Sequence, residues 1–157
     1  MKPEQFYTLY GVEGSYYAAK TRSYLRIKQI PFKEVLADRR TFDEEIIPRV
    51  GHPVVPVLVT PFDETVQDTS IIFDILEDRH PEPAVTPSSP SAKIAAYLIE
   101  ILADEWLKLP ALHYRWYYDH EFATIMMGEN NDPNAPAEIQ RIVGKKIAAR
   151  FRSWPNS

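Results

Sequence analysis

The chain is predicted to hold an α/β domain over about its first 80 residues and an all-helical part after it. Three observations carry that prediction. Short β-branched and aromatic runs alternate with helical repeats over about the first 80 residues, then the proline- and serine-dense stretch HPEPAVTPSSPS interrupts them. Beyond it apolar residues recur at helical spacing only. The resulting boundaries are 1–82 for the first domain, 83–91 for the linker and 92–157 for the helical part.

FYTLYG, from Phe6 to Gly11, reads as the first strand because it is aromatic and β-branched and ends on glycine. In SYYAAKTRSYLRIKQ, residues Tyr17, Ala18, Thr21, Tyr24 and Leu25 fall on one helical face, with Lys20, Ser23 and Arg26 on the other. Ser15 is the expected N-cap, since its hydroxyl can accept from an amide of the first turn. Pro31 ends that helix and FKEVLA is the second strand. TFDEEIIPRVG predicts a short helix closed by Pro48 and Gly51. VPVLVT and ETVQ flank the turn-like PFDE and predict a hairpin. Ile71, Ile72, Ile75 and Leu76 then predict a helix capped by Asp68 or Thr69. The order is β-α-β-α-β-β-α. In the helical part, Ala95, Leu98, Ile99, Leu102, Trp106 and Leu109 form one apolar stripe, interrupted or kinked near Pro110; LHYRWYYDHEFATIMM continues it, NNDPNAPAE breaks it, and EIQRIVGKKIAARFR starts a further helix.

Composition excludes several functions. With a formal charge of −4 and acids and bases interspersed, no basic field exists for nucleic acid or anionic lipid. No apolar run approaches the roughly 18 residues of a membrane span, and MKPEQFYTLYG lacks a signal pattern. The expected location is the cytoplasm. Zero cysteines rule out a thiolate metal site or an enzyme thiol. His113 and His120 lie seven apart and can share a helix face, but no third ligand stands at suitable spacing, so no metal site is expected. His52 is expected to be solvated in its loop.

Pro56, inside VVPVLVT, is the odd residue. Proline has no N–H to give a strand and is confined to edges, strand starts or bulges. A cis Val55-Pro56 bond would turn the Val55 main-chain groups out of the sheet as a docking edge for an extended peptide. A trans proline at a strand start is the plain alternative.

Three motifs in order, LYGVEGSYYAAKTR, VVPVLVTP and VQDTSIIFDILE, resemble the N-terminal domain of the glutathione S-transferases over about residues 6–80. The resemblance implies a thioredoxin-like fold with a mixed four-stranded sheet and a cis-proline at Pro56. It also implies a glutathione site in which Val55 bonds the cysteinyl backbone beside Pro56, Asp68 receives the γ-glutamyl ammonium, and Thr69 holds a carboxylate. Ser15 is the candidate to stabilise the glutathione thiolate, as in the family's serine-type members, and Tyr10 is the alternative. The reaction implied is thiolate transfer to a small apolar electrophile, with glutathione as cosubstrate, no metal and a homodimer expected. The other reading is a non-catalytic binding module on the same fold. Family members carry a longer helical domain than 92–157, so the second domain is expected to be cut short after about two helices.

Overall fold

The computed structural model describes residues 6–153. The opening MKPEQ, read above for a signal pattern, and residues 154–157 lie outside them. The chain divides into two compact units, Met1–Val85 and Thr86–Ser157.

The first unit runs β1 Tyr7–Gly11, α1 Tyr16–Ile27, β2 Phe32–Leu36, α2 Arg39–Thr41, a π-helical turn Phe42–Ile46, α3 Ile47–Val50, β3 Val57–Val59, β4 Thr65–Gln67 and α4 Thr69–Arg79. The four strands lie in the order β2-β1-β3-β4, parallel between β1 and β2 and antiparallel elsewhere. This is the mixed sheet of a thioredoxin-like domain. Strand alternation sorts its side chains. Tyr7, Leu9, Leu58 and Val66 pack with Tyr24 and Leu25 of α1 and with Ile72 and Leu76 of α4. Tyr10, Val57 and Val59 pack on the opposite face with Ala37 and Ile46. Leu9, Leu25, Leu58, Ile72 and Leu76 are fully buried, each contributing about 1.5–3 kcal/mol of transfer free energy.

Pro48 does not end its helix. The chain stays helical from Arg39 to Val50 because the Ile47 N–H bonds back five residues to Phe42 O, widening the turn where the proline ring would otherwise press on the carbonyl four residues earlier. Gly51 does close it, with φ 84° and its N–H on Ile47 O at 2.8 Å.

The second unit contains α5 Pro90–Ile101, a π turn Leu102–Trp106, α6 Lys108–His113, a π turn Tyr114–Tyr118, α7 His120–Asn131 and α8 Ala137–Ser153. The helical path continues through Pro110, again behind a widened turn in which Leu107 N–H reaches Leu102 O at 3.0 Å. Among its described residues three helical runs are present, where about two helices were expected. Trp116, stacked on Phe151 with centroids 5.4 Å apart, packs with Ala123 and Ala148. α7 and α8 meet at two glycines, Gly128 against Gln140 and Gly144 against Thr124, with no room for a side chain at either. The stripe Leu98, Leu102, Trp106 and Leu109 is exposed, each residue by 50 % or more.

Candidate functional site

The sheet register delivers three chain segments to one end of the first unit. Tyr10 pairs with Val57, and Val57 with Gln67. Just past that row, β1 runs out through Gly11 toward Ser15, β3 is entered from Val55 and Pro56, and β4 runs into Asp68 and Thr69. Val55 and Thr69 each stand two residues beyond the last pair, Val57 with Gln67.

Ser15 is the N-cap of α1, and its Oγ accepts from Ala18 N at 3.2 Å. The sharp turn that brings it there uses Gly14 at φ 79°, a conformation glycine adopts without a Cβ penalty. Capping uses a lone pair of the serine oxygen, so the hydroxyl proton is still available to an anion at the positive end of α1. Tyr10 is arranged differently. Its ring lies on the face covered by the 39–50 run and its hydroxyl points to Glu45 Oε2 at 3.5 Å. Burial, then the Glu45 carboxylate, raises its pKa above the ordinary tyrosine value.

The Val55-Pro56 bond is cis. Among the described residues the main-chain N–H and C=O of Val55 make no hydrogen bond, which leaves them open to an extended peptide. Asp68 has φ 80° and ψ 128°, uncommon for a residue with a Cβ, and its Oδ1 accepts from Ser70 N at 2.9 Å and Ile71 N at 3.4 Å. Its second carboxylate oxygen has no partner among the described residues. Thr69, the first residue of α4, is buried. Among the described residues its N–H has no acceptor, and its Oγ1 accepts from Lys20 Nζ at 3.4 Å.

Lys20, set by the helical repeat opposite the apolar face of α1, adds a contact that the repeat does not show. It is only part-exposed and crosses to the start of α4, with its ammonium also 5.1 Å from the Phe73 ring. The helical repeat could not reveal this, because Lys20 and Thr69 are 49 residues apart.

The histidines stay outside the site. His52 is exposed, with Nδ1 2.9 Å from Val50 O in its own loop. His113, at the end of α6, lies with its ring tilted against Tyr117 at 4.7 Å, whereas His120 opens α7 beyond a break at Asp119, so the two do not share one helix. Among the described residues no cluster of three or more histidine or carboxylate side chains is placed to hold a metal ion.

Residues 9–84 match the family model described as "Glutathione S-transferase, N-terminal domain". Among solved structures, a glutathione S-transferase from Rhodospirillum rubrum F11 is 21 % identical with a TM-score of 0.65, over 95 % of this chain and 66 % of that one. One from Methylobacterium radiotolerans JCM 2831, in complex with glutathione sulfonate, is 26 % identical with a TM-score of 0.56, over 94 % and 60 %. A third, from Methylobacillus flagellatus KT with glutathione bound, is 24 % identical with a TM-score of 0.54, over 92 % and 66 %. The chain thus spans less than two thirds of the length of each. No curated protein matches the chain.

Proposed function

The N-terminal domain of this chain belongs to the glutathione S-transferase family, and on that premise we propose that the chain binds glutathione and transfers its thiolate to a small apolar electrophile. The observation that carries this reading is the convergence of Ser15, Val55-Pro56 and Asp68-Thr69 at one end of the sheet, through the register of β1, β3 and β4. Val55 would pair in antiparallel fashion with the cysteinyl backbone, beside Pro56. The open oxygen of Asp68 would take the γ-glutamyl ammonium, and the Thr69 amide and hydroxyl a carboxylate.

Ser15 would then face the thiol. A free thiol has a pKa of roughly 8.5 and only the thiolate is nucleophilic, so a shift of about two units needs near 3 kcal/mol at 1.36 per unit. One charge-assisted hydrogen bond from Ser15 plus the α1 dipole supplies an effect of that size. The thiol proton leaves to water and the sulfur lone pair forms the bond to the electrophilic carbon. The electrons displaced there leave with the departing group or take up a proton.

The same reading makes the chain a cytoplasmic homodimer. A cysteine-free chain suits a reducing compartment, and the exposed stripe from Leu98 to Leu109 suits self-association. That exposed apolar surface also favours the second reading, a glutathione-transferase-like module kept for protein contacts. Calorimetric titration with glutathione, paired with thiolate absorbance, separates the two. Saturable binding with thiolate formation is expected of the enzyme, and binding without thiolate, or none, would leave the module.

A further inference from the structure

We propose that the exposed face of α8, with the groove it forms against α7, docks an acidic helical segment of a partner protein through carboxylates and an aliphatic side chain. Its residues all lie in the second unit, so the proposal stands apart from the glutathione reading, whose residues all lie in the first.

The formal charge of −4 for the whole chain hides a local exception. α8 holds Arg141, Lys145, Lys146, Arg150 and Arg152 against one acid, Glu138, at its start. Arg141, Ile142, Lys145, Lys146, Ala149 and Arg150 are exposed, and their spacing sets them on a single helical face. The opposite face is taken up inside the unit, where Gly144 lies against Thr124 of α7 and Ala148 packs with Trp116. Among the described residues Arg141, Lys145 and Lys146 have no carboxylate partner. Arg141 and Lys145 stand four apart, a like-charged pair that weakens a helix. An anion brought from outside relieves it.

Where this face meets α7, a groove of about 450 Å³ is lined by Ile125, Ala148 and Ala149, with Arg141 and Lys145 beside them and Glu121 as its one acid. An aliphatic side chain suits the apolar part and carboxylates suit the two cations, the pattern of an amphipathic helix laid in a groove. Nucleic acid fits less well, since among the described residues no tyrosine, tryptophan or phenylalanine lines the groove to stack a base. A lipid surface also fits less well. Helices that lie on membranes bury their apolar face there, and that face of α8 is already packed on its own unit.

The test uses the full chain at low salt and three twelve-residue peptides. One repeats Leu-Glu-Glu-Ala, the second has glutamine for leucine, and the third has lysine for glutamate. Calorimetry is expected to show saturable binding of the first, binding of the second weaker by about 10- to 100-fold, as for loss of one buried aliphatic side chain, and none of the third. Ile125→Ser should bring the leucine peptide down toward the glutamine one. Arg141→Glu with Lys145→Glu should weaken the leucine peptide by about 10-fold or more, and Glu121→Gln should strengthen it. Equal binding of the leucine and glutamine peptides, binding unchanged by the charge reversal, or no binding of either acidic peptide overturns the proposal. Vesicles of phosphatidylserine with phosphatidylcholine, or a DNA duplex, bound more tightly than the leucine peptide and lost on charge reversal, overturn it in favour of that partner. Helix content by circular dichroism shows whether each variant is folded. Should the charge reversal not fold, Arg141→Gln with Lys145→Gln must still weaken the leucine peptide. Each of these outcomes is read without glutathione, so the glutathione reading stands or falls separately.

Discussion

A methyl group built on Gly144 would lie 2.0 Å from the carbonyl oxygen of Thr124, and one on Gly128 at the same distance from Gln140 O. The two helices α7 and α8 therefore cross backbone against backbone. In an open helix glycine is worth about 1 kcal/mol less than alanine, so the contact reverses the usual sign. Gly144→Ala and Gly128→Ala are each expected to destabilise the second unit by about 1–3 kcal/mol, read by helix content on urea titration. Stabilisation by either would show that the helices separate easily.

Ser15 and Tyr10 make opposite predictions. Ser15→Ala should lower turnover about 10- to 1,000-fold, as for loss of one anion-stabilising donor, and shift thiolate formation to higher pH with glutathione affinity nearly kept. It should also cost about 1 kcal/mol of stability through the lost cap. Tyr10→Phe should change turnover little, because its hydroxyl is directed to Glu45. Thiolate absorbance that survives Ser15→Ala and vanishes in Tyr10→Phe would reverse the assignment.

The Lys28 side chain is fully buried, with its ammonium 2.6 Å from Glu77 Oε2 and 3.0 Å from Pro83 O, and the Tyr24 hydroxyl donates to the same carboxylate. Removing one partner of a buried pair strands the other charge. Lys28→Met is expected to cost about 3 kcal/mol, the lower end of the usual range because the Glu77 side chain remains 21 % exposed. Lys28→Met with Glu77→Gln should recover part of that loss. A single-variant loss below about 1 kcal/mol would mean the pair behaves as a surface one.

His80 sits 2.9 Å from the Tyr7 hydroxyl through Nε2. Burial first, then Lys28 and Arg79, hold its pKa below the ordinary 6.5. The folded state therefore binds fewer protons than the unfolded state in the window between those values. Its contribution to stability is present above about pH 6.5 and is lost as pH falls through the lowered value. The melting temperature of wild type should fall more on acidification across that window than that of His80→Gln, and identical slopes would remove His80 as the cause.

Self-association is the outcome expected from exposure of Leu98 by 62 %, Leu102 by 50 %, Trp106 by 68 % and Leu109 by 57 %. Light scattering is expected to give a dimer mass that falls toward the monomer on dilution, and earlier in Leu98→Glu and Trp106→Glu. A monomer at every concentration would contradict it.

Much of the first unit was legible in the sequence by itself. Local chemistry determined it: Ser15 and Asp68 cap helices because their oxygens reach amides two and three residues on, and alternation set Leu9 and Tyr10 on opposite faces. Pro56 announced a special backbone, and its position beside the capped α4 made the candidate site readable. Other features depended on what folding brings together. The helix passes Pro48 because the neighbouring turn widens to accommodate the ring, which no breaker rule anticipates. The facing of Tyr10 onto Glu45, the burial of Lys28 beside Glu77, and the approach of α7 to α8 at two glycines all join residues distant in sequence. Lys20 is the clearest case. Its helical position set it opposite the apolar face, and only the packing of α1 beside α4 gave its ammonium a hydroxyl and an aromatic face. Periodicity reports which face of an element is apolar, whereas a long charged side chain goes where tertiary contacts let its end be satisfied.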